Sequence, residues 1–213
     1  MGIKEDTWKS RIAERTDLST HIVHLTRAEN NPHSDGTNSL VHIILKILKD
    51  KEIKPSSTKS GFIVGKTPAV CFQDAPLVGV AQNVFYEEKY RKQNKEVKLR
   101  YNCAGLIFTK PYAFRKGARP VIYEETEQAK KILPPDQHWR IVKLDLNDSN
   151  NFTDWTHERE WRHPGAFKFE IEDVGVLLPN YTVQRKFFKE CAKLGLDYPE
   201  RLKAIMNMGA LFY

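Results

Sequence analysis

The sequence predicts an α+β fold. Short apolar runs rich in β-branched residues recur from His21 to Leu178, about six to eight of them. About two to four helical segments are interspersed. Their order lacks the strand–helix alternation that a doubly wound parallel sheet requires.

Residues 1–19 are charged and form a peripheral extension. His21–Leu25 is a short apolar strand. Arg27–Thr37 (RAENNPHSDGT) is a loop by its Asn, Pro, Asp and Gly content. Leu40, Ile43, Ile44, Ile47 and Leu48 then fall at helical spacing, with Lys46, Lys49 and Asp50 on the other face and Asn38 or Ser39 as the expected N-cap. That helix should stop before Pro55. Ser56–Lys66 is a polar loop, Ala69–Phe72 a strand, and Leu77–Tyr90 a second helix entered through Asp74-Ala75-Pro76. A charged connector covers 91–98.

Ala104–Phe108 and Val121–Tyr123 read as strands joined across the basic segment Lys110–Arg119 (KPYAFRKGAR). Glu124–Leu133 is a short helix or turn ending at Pro134-Pro135. Ile141–Leu144, Glu160–Arg162, Ala166–Phe169 and Val174–Leu178 are further strands. Pro179 leads into a basic helix near Val183–Leu194, with Phe187, Phe188, Cys191 and Leu194 on its packing side. The expected organisation is one domain over 1–213: the extension, a core over 20–180 and a helical segment over 181–213.

A chain of 213 residues buries a core without covalent staples. Its 40% hydrophobic and 11% aromatic content is that of a globular protein, not a disordered one. Three cysteines without metal-type spacing argue for reduced thiols and a cytoplasmic setting. No segment approaches the ~20 apolar residues of a membrane span, and the charged N-terminus has no secretory apolar region. The net charge of +7 favours an anionic partner: nucleic acid, a dinucleotide or an acidic protein.

Four constellations bear on chemistry. In a strand, His24 and Thr26 share a face, so an imidazole and a hydroxyl can together hydrogen-bond a ribose or a carboxamide. In WTHEREWRHPG (155–165), Glu158 and Glu160 are two apart, which places both carboxylates on one side of an extended segment. Trp155 and Trp161 supply an apolar wall for them. The same stretch also reads as a salt-bridged edge strand in which Arg159 and Arg162 neutralise the glutamates. In Lys110–Arg119, Arg115, Lys116 and Arg119 are interleaved with Tyr112 and Phe114, a pattern suited to phosphates and stacked bases as well as to a solvated hairpin. Gly61-x-x-x-Gly65-Lys66-Thr67 is one residue short of a phosphate-binding P-loop, which argues against nucleotide triphosphate hydrolysis. His21 and His24 share no strand face, and His157 and His163 lack a third ligand nearby, so no metal site is expected.

The order of these pieces is more specific than any one of them. VCFQDAPL (70–77), FRKGARPVIY (114–123) and EREWR (158–162) follow the His-x-Thr strand, and together they resemble the bacterial abortive-infection proteins of the AbiGi type. More distantly the chain resembles the DarT-type ADP-ribosyltransferase toxins, over residues 20–180. The resemblance implies an ADP-ribosyltransferase-like split β-sheet with flanking helices that binds NAD. It places His24 and Thr26 at the nicotinamide end, Glu160 on the ribose 2′-hydroxyl and Glu158 near the incoming acceptor. Phe72 joins the cofactor-binding set, and Arg115 and Arg119 are candidates for the pyrophosphate. Residues 38–90 contain no arginine where the toxins use one, and Lys59 and Lys66 are the cations of that loop.

The implied activity is mono-ADP-ribosyl transfer from NAD to a macromolecular acceptor, with nucleic acid favoured by the charge. The implied setting is phage defence or a toxin–antitoxin pair, with a neutralising antitoxin as partner. Two readings compete with it. One is a non-catalytic nucleic-acid-binding or antitoxin-like module of the same fold; the other is a nuclease using His24 with His157 or His163.

Overall fold

The computed structural model describes residues 2–26, 37–94 and 102–211. The expected Arg27–Thr37 loop lies outside the described residues except for Thr37, and of the expected 91–98 connector residues 91–93 belong to helix α3 while 95–98 lie outside the described residues. In chain order the elements are α1 (Glu5–Ala13), β1 (His21–Leu25), α2 (Thr37–Asp50), β2 (Glu52–Ile53), β3 (Ala69–Gln73), α3 (Leu77–Gln93) and β4 (Gly105–Thr109). They continue with α4 (Lys110–Arg115), β5 (Arg119–Pro120), β6 (Ile122–Glu124), α5 (Thr126–Ile132), β7 (Ile141–Lys143), β8 (Glu160–Pro164) and β9 (Phe167–Lys168). The chain finishes with β10 (Gly175–Leu178), α6 (Tyr181–Lys193), α7 (Tyr198–Arg201) and β11 (Ala204–Asn207). Mixed parallel and antiparallel pairing with flanking helices is consistent with the α+β class.

These elements divide into two compact units. The first comprises Met1–Glu52, Ala75–Phe108 and Phe169–Tyr213, and its strands run in the order β11-β10-β4-β1. β10 is Gly-Val-Leu-Leu and buried throughout, the near-continuous apolar run of a strand buried on both faces. It pairs antiparallel with β4 and parallel with β11. Ile44 and Leu48 of α2 and Phe187 of α6 are fully buried, as the helical spacing requires. On α6, however, Phe188 and Leu194 lie exposed, so the packing face is narrower than expected and consists of Val183, Phe187 and Cys191.

The second unit comprises Ile53–Asp74 and Thr109–Lys168. Here β8 lies between β3 and β5, antiparallel to both, and β6 and β7 pair in parallel. β8 is therefore an inner strand of this unit, not the edge strand of the salt-bridged reading. Ile63, Ala69 and Trp139 form a small core with Cys71 packed against it. The Phe72 and Phe167 rings meet edge to face at 5.1 Å.

Three local expectations need correction. The Lys110–Arg119 segment is not all loop: residues 110–115 form α4, whose N-cap Thr109 accepts the Tyr112 N–H and whose first turn carries Pro111. Only six residues long, α4 leaves no periodicity to read. β11, Ala-Ile-Met-Asn, was not expected, since it lacks a β-branched run and gains its register from β10. Finally, α2 already includes Thr37, ahead of the expected cap.

Gly105 opens β4 where it passes β1. A Cβ there would lie 2.2 Å from the His24 carbonyl oxygen, with other backbone atoms of His24 and Leu25 close behind. Backbone cannot rotate away as a side chain can. Gly105→Ala is therefore expected to destabilise the fold by about 3 kcal/mol or more, measured by urea unfolding.

Candidate active site

Side chains alternate along β3 and β8, which divides the predicted residues between two faces. Cys71 pairs in register with Arg162, and Gln73 with Glu160. These four side chains share one face, while Phe72 and Trp161 share the other. Phe72 is buried against Phe167, so the alternation turns its ring away from Glu160 and into the apolar interior. It is not placed with Glu160 as a ligand-facing aromatic.

Glu160, the first residue of β8, is 7% exposed, and Arg162 is 3% exposed. The guanidinium approaches the carboxylate as a fork, Nε to Oε1 at 2.7 Å and Nη2 to Oε2 at 3.3 Å. Its remaining donors reach backbone carbonyls. Nη1 donates to Trp139 O at 2.9 Å and Ile141 O at 3.0 Å, and Nη2 to Phe62 O at 3.2 Å. Five donors meet five acceptors, so Arg162 is saturated. The Glu160 carboxylate keeps lone pairs beyond those the fork occupies. The backbone N–H of Glu160 donates to the Tyr123 hydroxyl at 2.6 Å. Burial chiefly, with the nearby Glu160 and Glu158 charges, pushes the Tyr123 phenol up to about 12, so it keeps its proton. Cys71 is held well above the usual thiol range, first by burial and then by the Glu160 charge.

Opposite Glu160, Gln73 is buried and its Oε1 meets no hydrogen-bond donor among the described residues. The face thus presents two acceptors with capacity to spare, a carboxylate and a carboxamide oxygen. Acceptors of this kind suit a ligand that brings donors, such as the hydroxyls of a ribose, and do not suit a phosphate.

Glu158 does not extend the strand. Thr156–Glu158 form a 3₁₀ turn, and Arg159 follows in the left-handed region with φ 46°. The same-side arrangement of a Glu-x-Glu pair in an extended chain therefore does not form. Asp154 caps the turn by accepting from the Thr156 amide and hydroxyl at 2.8 and 2.7 Å. The Asp74 amide closes it by donating to the Glu158 and Arg159 carbonyls, both at 3.3 Å. The Asp74 carboxylate in turn accepts the Trp161 indole N–H at 3.2 Å and pairs with Lys110 at 2.6 Å. Trp161 thus helps fix the backbone that presents Glu160. The sequence shows Asp74 at the entry to a helix and Lys110 at the head of a basic segment but not their pairing, because the contact joins residues far apart in it.

The other predicted residues lie as follows. His24 and Thr26 belong to the first unit. Thr26 is buried just past the end of β1, where its hydroxyl and its amide both donate to the Ala104 carbonyl, at 2.9 and 2.8 Å. That hydroxyl proton is spent on the backbone. Arg115 is exposed in the last turn of α4. Arg119 lies 3.8 Å over the Phe114 ring and donates to the Phe114 and Ala118 carbonyls. His163 donates through Nε2 to the Lys116 carbonyl at 3.0 Å, a structural role. Among the described residues no group of three or more His, Cys, Asp or Glu could hold a metal ion. Among the described residues no helix is long and apolar enough to cross a membrane.

No family model, curated protein or solved structure gives a significant match to this chain.

Glu160→Gln leaves the Arg162 charge buried without its counter-charge. A loss of about 3–5 kcal/mol is expected, read from chemical unfolding. The thiols supply a second check. Cys103 and Cys191 are pushed up to about 11, chiefly by burial. Raised thiol and phenol values add stability that is complete below the ordinary thiol range and lost as pH climbs, because the unfolded chain releases those protons first. The unfolding midpoint should therefore fall between about pH 9 and 11, and native protein at neutral pH should react only slowly with a thiol reagent that labels the unfolded chain fully.

Proposed function

We propose that the protein is a mono-ADP-ribosyltransferase that moves ADP-ribose from NAD to a macromolecular acceptor, with nucleic acid favoured by the net charge of +7. The observation that carries this reading is the Glu160 carboxylate. It is fixed in orientation by the Arg162 fork, stands at the head of an inner strand and lies opposite the unsatisfied Gln73 oxygen. A carboxylate held in this way accepts a ribose 2′-hydroxyl and stabilises positive charge developing at the adjacent anomeric carbon. In the transfer, the bond between that carbon and the nicotinamide nitrogen breaks and nicotinamide leaves with the electron pair. An acceptor oxygen or nitrogen forms the new bond, and its proton passes to a base, the role given to Glu158.

The resemblance to AbiGi-type and DarT-type proteins supports the reading through the order of elements, and with it a setting in phage defence or toxin–antitoxin pairing, with a neutralising antitoxin. A second reading, a non-catalytic nucleic-acid-binding or antitoxin-like module, is favoured by the saturation of Arg162, since both Glu160 oxygens serve an ion pair that the fold requires.

Labelled NAD incubated with RNA, single-stranded DNA and cell lysate separates the two. The transferase reading expects label on one polymer class and nicotinamide release. It also expects Glu160→Gln to lower the rate by about 10²–10³-fold at a temperature where circular dichroism shows the variant folded. Absence of both transfer and nicotinamide release by wild-type protein would leave the binding module as the function.

A further inference from the structure

The second unit carries two arginines close together with no carboxylate to balance them. Arg140 ends the 3₁₀ turn Pro135–Arg140, and its Nε donates to the Pro120 carbonyl at 3.1 Å. Arg119 is the residue before Pro120, on β5 at the end of the strand order. Both side chains are only half-exposed, and neither forms an ion pair among the described residues. Many surface cations of this chain do find carboxylates: Lys9 with Glu5, Lys46 with Asp50, Lys51 with Glu170, Arg201 with Glu172. The charges that act on Arg140 include Arg119 and no acid, and burial together with that neighbour weakens its hold on its proton.

Like charges partly withdrawn from water cost free energy unless an anion completes the group. Both guanidiniums are held in place. Arg119 Nη1 donates to Phe114 O at 2.8 Å and Ala118 O at 2.7 Å, while the guanidinium rests on the Phe114 ring. These bonds leave Arg119 Nε and Nη2, and both terminal nitrogens of Arg140, with donors to offer. Arg115 and Lys116 follow Phe114 in the chain and are exposed, with the Lys116 ammonium 5.5 Å from the centre of the Tyr112 ring. Phe114 is itself 48% exposed.

We propose that Arg119 and Arg140 form a phosphate clamp for the backbone of a nucleic acid, flanked by Arg115 and Lys116. Rigid, fork-shaped donors interleaved with an exposed aromatic ring are the chemistry that grips phosphodiesters. The proposal builds on the reading of nucleic acid as the acceptor but requires no NAD chemistry. It assigns Arg119 to the acceptor and not to a dinucleotide pyrophosphate. On the basic helix α6 Lys193 already pairs with Glu190, whereas Arg119 and Arg140 have no carboxylate among the described residues.

The test is equilibrium binding without NAD, by fluorescence anisotropy, of labelled single-stranded RNA and DNA oligonucleotides over a salt series. Arg140→Gln is the main variant, because Arg119 also caps α4. Lys189→Gln on α6 removes the same charge elsewhere, and circular dichroism checks each fold. The expected result is about five- to tenfold weaker binding by Arg140→Gln, with the slope of log K against log salt reduced by about 0.7 for the lost phosphate contact. Lys189→Gln should stay within about twofold of wild type. Equal losses in both variants, or none in Arg140→Gln, would overturn the clamp. In a separate NAD titration, loss of NAD affinity in Arg140→Gln with oligonucleotide binding intact would overturn it too, by assigning the pair to the dinucleotide. Because NAD is absent from the binding assay, failure of the transferase reading leaves this result standing, and the reverse holds as well.

Discussion

A guanidinium taken out of water must find an acceptor for every N–H it carries, and Arg162 does so inside the second unit with all five. Two of those bonds go to Glu160 and three to the carbonyls of Phe62, Trp139 and Ile141. The consequence reaches well beyond one ion pair. Two separate stretches of chain, at Phe62 and at Trp139–Ile141, are tied to β8 through one side chain, and their carbonyls would lose a donor if the arginine moved. Glu160 inherits its position from this constraint. Its carboxylate is held at two points, on the first residue of a strand hydrogen-bonded on both sides.

Around that pair the polar groups have a consistent sense. Tyr123 accepts the Glu160 amide while keeping its own proton, and Gln73 presents an oxygen with no donor. Asp74 ties the Glu158–Arg159 turn to Trp161 and Lys110. The interior of the unit is therefore neutral in sum and asks for donors. At Arg119 and Arg140 the balance reverses: donors outnumber acceptors and the charge is uncompensated. A ribose and a phosphodiester have complementary demands, hydroxyl donors on one side and anionic oxygens on the other. On the proposed function and the proposed clamp, the two groups of residues meet these demands separately.

Arg159 shows how local backbone decides which carboxylate faces which way. Period-two alternation would have set Glu158 and Glu160 on one side, but the left-handed residue between them ends the 3₁₀ turn and starts the strand. A non-glycine residue in that region costs about 1–2 kcal/mol. The Asp154 cap and the Asp74 amide offset it by satisfying the backbone on either side. The two glutamates therefore differ in environment, one locked in an ion pair on a strand and the other on a turn.

Much of this was legible beforehand. Strands β1, β3, β4, β7, β8 and β10 and helices α2, α3 and α6 fall within a few residues of where apolar spacing puts them, since burial of one face writes its period into the sequence. So were the density of chemistry in WTHEREWRHPG and the pairing of Arg162 with a glutamate, offered there as one of two uses. The face on which Phe72 stands follows from strand parity: Cys71 and Gln73 share the face of Glu160, and Phe72 lies on the other. Helix α4, strand β11 and the turn at Arg159 are too short to carry a period, and caps, neighbours and a backbone sign decided them. The sequence by itself determined the class, the core-forming segments and the cationic character of the chain, all properties of composition and local spacing. Which carboxylate is buried, which arginine is saturated and which arginines are left wanting an anion were decided only by tertiary structure, because each depends on counting donors against acceptors among residues up to a hundred positions apart.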